Sequence, residues 1–525
     1  MRRLALLLLL LLLLLLAACA WAQQPYDLII GNARVIDGTG NPWFRADIGV
    51  RDGRISAIGA LGQAAATRVI DAKERIVTPG FLDIHTHVEG DVEKAPRGDN
   101  FLLDGVTTIV TGNCGGSVQR MGDWFRELEA TGLGLNLASL VGHNTVRRAV
   151  MGNANRPATG DEIAQMKVLV HSAMQEGAVG LSTGLIYIPG AYSTTDEVVD
   201  LAKAAAAYQG VYASHMRDEG AKILDAINEA ARVGQEAGMR VELSHFKIDT
   251  PRLWGMSDKS LALVDEYRRK GVDVVIDQYP YDHSSTNLGI TLPSWALADG
   301  VEKVKQRLTT PGTRGEIAAG MLHMINDLGH EDYSYAIVAT FRPNAAYEGK
   351  NIREITVLRG QPPTVANQID TILDMIVAGG AQMIYHSMGD VDVERILRYP
   401  NTAIASDGGI RVLGEGMPHP RSYGANARVL AEFVRERGVL TLEDAIRRMT
   451  SLPARTFGFK DRGILREGAA ADILIFDPAR VQDKSTYTQP HQYSEGFDFV
   501  IVNGAVMVDE GQLTESRPGK VLRRQ

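Results

Sequence analysis

Side chains of the kinds that bind transition metals stand at the ends of separate apolar runs in this sequence. Phe81, Leu82 and Ile84 form a strand-like run behind the turn signal Pro79-Gly80, and the run ends on His85-Thr86-His87. On a strand, side chains i and i+2 share a face, so His85 and His87 leave side by side, spaced to share one metal ion. A lone His-x-His is more often two unrelated histidines near a turn. Here the chain supplies further donors. Cys114 ends TTIVTGNC, His215 ends the strand of VYASHM, His245 lies in VELSHFK, and Asp407 ends TAIASD before Gly408-Gly409. Taken singly, each has a bland alternative as a hydrogen-bonded core histidine, a small apolar filler or a turn-forming acid. Taken together, imidazoles, a thiolate and a carboxylate at strand tips form a zinc-type donor set.

The elements that must position them alternate. From residue 79 the rhythm is strand, loop, helix, with a capping box at Thr159-x-x-Glu162 opening one helix and Thr194-x-x-Glu197 capping the next. Repeated strand–helix units imply right-handed crossovers and a parallel sheet, and their number predicts an α/β fold closed as a TIM-like (β/α)8 barrel, whose strand tips share one rim. Residues 286–350 break the rhythm and read as a lid-like insertion. The apolar runs 335–340 and 382–387 are not assigned to barrel or insertion. Residues 26–78 alternate apolar and polar like a small antiparallel sheet, and the tail has the same texture. The expected division is therefore a leader over 1–22, one portion of a small β-sandwich over 23–78, the barrel over 79–458 and the remaining portion of the β-sandwich over 459–525. The two chain ends are thus expected to pair in one small β-domain.

Composition narrows the classes. A net charge of −8 with no Lys/Arg-rich block argues against nucleic acid as a partner. Arg2-Arg3 followed by the apolar run to Leu16 reads as a signal peptide, too short for a comfortable membrane span. Leu16-Ala17-Ala18-Cys19 resembles a bacterial lipobox and Ala20-Trp21-Ala22 an A-x-A cleavage site, with the lipobox preferred. Both exits predict an exported protein of a Gram-negative bacterium, in the periplasm or on the outer membrane, with membrane contact only through an N-terminal lipid. The chain has 2 cysteines, so Cys114 is left without a disulfide partner, and metal binding would account for an unpaired thiol in an exported protein.

PGFLDIHTH, GNCGG, the two SH dipeptides and SDGG resemble the amidohydrolase superfamily. VGH, STGLIY, SHMRDE, SHFK, YPY, HPRSYG and the closing PARTFGFKDRGILREGAAADILIFD are similar to its N-acyl-D-amino-acid deacylase, or D-aminoacylase, branch. The resemblance covers about 26–525. It implies a TIM-like barrel with a β-sandwich from both termini, and zinc held tightly by Cys114, His215 and His245. It implies a weaker second position at His85 and His87, with Cys114 able to bridge. Asp407 would act as base and then acid, and Tyr187 would steady the oxyanion. The free α-carboxylate of the small-molecule substrate would meet Lys247, which shares a strand face with His245, and Arg421, with Tyr279 and Ser285 as further contacts. His143 is expected behind these groups, orienting a loop or ligand. Asp282-His283 after YPY and the long path from Gly408 to His419 depart from the branch near the side-chain pocket. The expected reaction is hydrolysis of the amide of an N-acyl-D-amino acid. The alternatives are a dipeptidase for C-terminal D-residues, a cyclic-amide hydrolase, and an inactive binding lipoprotein on the same fold.

Overall fold

The computed structural model describes residues 25–524; the leader read over 1–22, including Cys19, lies outside the described residues. The parallel strands form two arcs. One runs Phe81–Asp83, Val106–Thr111, Asn136–Ser139, and the other runs Val141–Gly142, Gly180–Gly184, Val211–His215, Arg240–Leu243, Val274–Gln278, Thr402–Ile404. The arcs join because Asn136–Ser139 and Val141–Gly142 are one run interrupted at Leu140. The ring closes where Asp407 N donates to His85 O at 2.9 Å and His87 N to Gly408 O at 2.8 Å. This is the (β/α)8 barrel. Its strands are buried on both faces, so they read as continuous apolar runs rather than alternating ones.

Period-2 geometry decides what reaches the rim. Val211 and Ala213, Val275, and Ala403 and Ala405 share the apolar cluster inside the barrel, closed by Leu452 and Phe457. Tyr212, Ile276 and Ile404 face the surrounding helices instead. His215, Asp277 and Asp407 continue the inward phase of their strands and so emerge above the barrel core. Capping boxes or N-caps are present where expected, with Thr159 and Glu162 exchanging both bonds and Thr194 accepting from Glu197 N.

The insertion is larger than 286–350. His283–Asn287, Ala336–Thr340 and Gln382–His386 form an antiparallel sheet with Gln382–His386 in the middle. Helices Val301–Thr309, Pro311–Leu328, Ile352–Leu358 and Val365–Val377 cover it. Both unassigned apolar runs therefore belong to this unit and neither to the barrel, whose strand after Val274–Gln278 is Thr402–Ile404. The boundary was hidden because these strands carry the same apolar character as barrel strands but bury it in a core of their own, around Leu288, Met321, Ile372 and Met383. The unit thus fills one strand-to-helix connection at the C-terminal rim.

The chain ends share a 9-stranded sheet in which Ile76–Pro79 pairs antiparallel with Ile473–Phe476. Ile473 and Ile475 face the sheet's own core while Leu474 and Phe476 pack on the barrel. The reading of 26–78 as antiparallel needs a correction. Tyr26–Val35 is long enough to take Ala66–Asp71 and then Ile76–Val77 along one edge, and both pairings are parallel.

Candidate active site

The donor side chains converge above the barrel. Cys114 Sγ lies 3.3 Å from His85 Nε2, 3.6 Å from His215 Nδ1 and 3.5 Å from His245 Nε2. Asp407 Oδ1 lies 3.1 Å from His87 Nε2 and 3.6 Å from His85 Nε2. Three overlapping groups have donor atoms within 4.8 Å of one another: His85, His87 and Cys114; Cys114, His215 and His245; His85, His245 and Asp407. Donors bound tetrahedrally at about 2.0–2.3 Å stand roughly 3.3–3.8 Å apart, the range in which the thiolate–imidazole separations fall. Cys114, His245 and Asp407 have φ of 52°, 36° and 50°. Non-glycine residues rarely adopt this left-handed conformation, and here it turns strand-end side chains across the mouth of the barrel.

The surroundings favour the ionised forms of Cys114 and Asp407. Burial alone would push the Cys114 thiol up, but the positive field of His85 and hydrogen bonds from His215 and His245 bring it well below its usual value. Burial likewise opposes ionisation of Asp407, and the Arg421 guanidinium 2.8 Å away, followed by His85, holds its carboxyl well below the usual range. His87 is pulled down by burial and pushed up more strongly by Asp407 and Cys114, to about 9.

Acids that the sequence reading missed stand behind the imidazoles. Asp277 Oδ2 lies 2.9 Å from His85 Nδ1, and its Oδ1 accepts the His245 backbone N–H at 2.7 Å. Glu219 lies 2.9 Å from His245 Nδ1 and 2.7 Å from Lys247 Nζ. Asp277 fixes which ring nitrogen of His85 faces the cluster and raises its basicity, whereas the Glu219 Oε1 contact at His245 Nδ1 lacks hydrogen-bond alignment and Lys247 Nζ stands 2.9 Å from the same nitrogen. Asp277 carried a usable signal, an acid inside the apolar run VVIDQ, which has to find a partner when buried.

A cavity of about 950 Å³ opens between this rim and the inserted unit. His87, Cys114, His215, His245, Asp407 and Tyr187 line it, as do Lys247, Tyr279, Ser285 and Arg421. The Arg421 guanidinium stacks on the Tyr279 ring, 4.7 Å from its centroid. Its Nη1 approaches Asp407 without hydrogen-bond alignment, and Nη2 donates to Ser285 O at 3.3 Å. The Tyr279 hydroxyl is buried and has no partner among the described residues. Ser285 differs from expectation in detail: its hydroxyl already donates to Met383 O at 2.8 Å, so it reaches the site through its carbonyl on Arg421. Tyr187 packs its ring on His215, with centroids 4.7 Å apart. Burial, then the charge of Cys114, raises its hydroxyl well above the usual value, so it remains a donor.

His143 is not behind the site. The chain turns into helix His143–Met151 at this residue, which sends the imidazole into the helix layer, where Nε2 lies 2.9 Å from Glu197 Oε1 beside Arg147. His386 sits at the base of the inserted unit, 3.7 Å from Asp282. Among the described residues no helix is long and apolar enough to cross a membrane.

Comparison with known proteins agrees with this geometry. The sequence profile of the amidohydrolase family matches residues 68–508, and that of the urease alpha-subunit N-terminal domain matches 16–80. The D-aminoacylase of Alcaligenes xylosoxydans xylosoxydans is 35% identical over 95% of this chain and 98% of its own length. A D-aminoacylase structure described as having a binuclear metal centre, with one-metal activation and second-metal attenuation, superposes with a TM-score of 0.81 at 33% identity, covering 95% of this chain and 100% of its own. The N-acyl-D-glutamate deacylase of Bordetella bronchiseptica, solved with zinc and a phosphonate mimic of the tetrahedral intermediate, gives 0.81 at 34% identity with the same coverage. The chain therefore belongs to the amidohydrolase family, in the branch that contains the D-aminoacylases.

Proposed function

We propose that this chain hydrolyses the amide of N-acyl-D-amino acids, breaking the C–N bond and forming a C–O bond to give a carboxylate and a D-amino acid. The observation that carries the reading is the placement of Arg421, 2.8 Å from Asp407 and stacked on Tyr279. A carboxylate-binding cation thus stands beside the one carboxylate in the donor cluster that lies on the cavity. That spacing suits an amide whose amine side carries a free α-carboxylate. It does not suit a cyclic amide, which has none.

The donor chemistry supports zinc, held tightly by Cys114, His215 and His245, with a second, weaker position at His85 and His87 that Cys114 borders. Zinc bound there supplies Lewis acidity toward the scissile carbonyl and toward water. Asp407 takes the proton from the attacking water and delivers it to the amide nitrogen as the bond breaks. Its low proton affinity means that it is ionised, ready to accept, at neutral pH. Tyr187 donates to the carbonyl oxygen as negative charge develops. Arg421 and the unpartnered Tyr279 hydroxyl hold the α-carboxylate, and Lys247, anchored by Glu219, adds positive charge. Leader-like residues 1–22 support an exported enzyme of the cell envelope, with lipid attachment at Cys19 as the way it would meet a membrane.

The experiment is turnover of N-acetyl-D-methionine against its L-isomer by the zinc-loaded chain, with a dipeptide ending in a D-residue as a third substrate. Preferred cleavage of the D-acyl compound is expected. Equal rates for the two isomers, or no turnover with zinc bound, would refute the reading, and faster cleavage of the dipeptide would replace it with a dipeptidase.

A further inference from the structure

The hydroxyl of Tyr187 does not point into empty space. It lies 3.1 Å from Thr286 Oγ1, on the first strand of the inserted unit. Thr286 Oγ1 makes no other side-chain hydrogen bond among the described residues. The same strand reaches the site at two more points: Ser285 O accepts from Arg421 Nη2, and His283 O from His419 Nε2 at 3.0 Å. Both substrate-facing groups assigned above, the oxyanion donor and the carboxylate-binding arginine, are therefore tied to one short strand that is not part of the barrel.

The polarity of the tyrosine–threonine pair matters. A phenol has a single proton. If Tyr187 gave it to Thr286, none would remain for the substrate oxygen. If Thr286 donates, the Tyr187 oxygen accepts, its own proton is free to point at the carbonyl, and the accepted bond polarises that O–H further. With its ring held on His215 and its oxygen held by Thr286, Tyr187 keeps one orientation before substrate arrives. We infer that Thr286 is a positioning residue: its hydroxyl donates to Tyr187 and aims the tyrosine proton at the developing oxyanion, so that seating of the inserted unit is read directly by the catalytic rim. The inference rests on the oxyanion role proposed for Tyr187.

The test is a double-mutant cycle on the full zinc-loaded chain with N-acetyl-D-methionine. Loss of one hydrogen bond of ordinary strength predicts that Thr286→Val lowers kcat about tenfold with KM nearly constant. Thr286→Ser, which keeps the donor, restores kcat to within about twofold of the parent. In a Tyr187→Phe background Thr286→Val has almost no further effect, because the hydroxyl it served is gone. Thr286→Ala is run beside Thr286→Val and judged identically, so that a packing defect of the valine does not decide the matter. Unchanged kcat in Thr286→Val and Thr286→Ala, or an equal fractional loss with and without the Tyr187 hydroxyl, overturns the positioning role. Parental kcat in Tyr187→Phe alone would instead remove the oxyanion assignment, a separate failure.

Discussion

Cys114, His215 and His245 differ from His85, His87 and Asp407 in what stands behind them. Glu219, held by Lys247, brings its charge to 2.9 Å from His245 Nδ1, and Cys114 lies within hydrogen-bond reach of both histidines. In the second group His85 is braced by Asp277, but His87 remains 39% exposed, and the carboxylate of Asp407 is shared with Arg421. One half of the site is preorganised for a cation. The other half is partly open to the cavity, and its acid faces a guanidinium that a substrate carboxylate can engage. On the proposed reading the difference separates holding from working: the first group would retain metal, and the second would exchange protons and ligands during turnover.

Substitutions can break or sharpen that contrast. Cys114 borders both groups, so Cys114→Ala should have the largest effect, removing tightly bound metal and turnover together, as read by elemental analysis and N-acetyl-D-methionine hydrolysis. Retention of one tight zinc would erase the contrast. Asp407→Asn comes next. Turnover should fall about 10²–10⁴-fold, the usual contribution of a general acid–base group, with metal content unchanged. Metal loss in step with activity would make Asp407 a holder rather than a worker. Glu219→Gln removes the negative charge beside His245, and metal affinity measured by competition with a chelator should weaken about 10–100-fold. Unaltered affinity would show that the first group needs no such charge. His87→Ala is expected to be mildest, leaving the tight metal in place and changing turnover by less than about tenfold, because His87 is neither a donor to the tight metal position nor the proposed proton carrier.

The donors were legible because each ends an apolar run, and a barrel sends all such ends to one rim. Their braces were not. Glu219 follows Asp218 in MRDEG and looks like ordinary surface charge; only the return of Lys247 from the next strand buries it. The inserted unit was legible as an interruption but not in extent, because Ala336–Thr340 and Gln382–His386 satisfy the same local pattern as barrel strands, and only their antiparallel pairing tells them apart. Ser285 was expected at the substrate carboxylate from the resemblance, yet which of its polar groups faces Arg421 depends on its hydroxyl bonding Met383 O across the strand pair, contact information that no single-sequence pattern contains. His143 went the other way: it was expected behind the donors, but the helix beginning at that residue turns its ring toward Glu197.

The most direct test of thiolate-held metal is zinc K-edge X-ray absorption on the purified, metal-loaded chain. A sulfur scatterer at about 2.3 Å beside nitrogen donors near 2.0–2.1 Å is predicted, and any zinc still retained by Cys114→Ala should lack it. A first shell of nitrogen and oxygen alone in the parent protein would contradict the account.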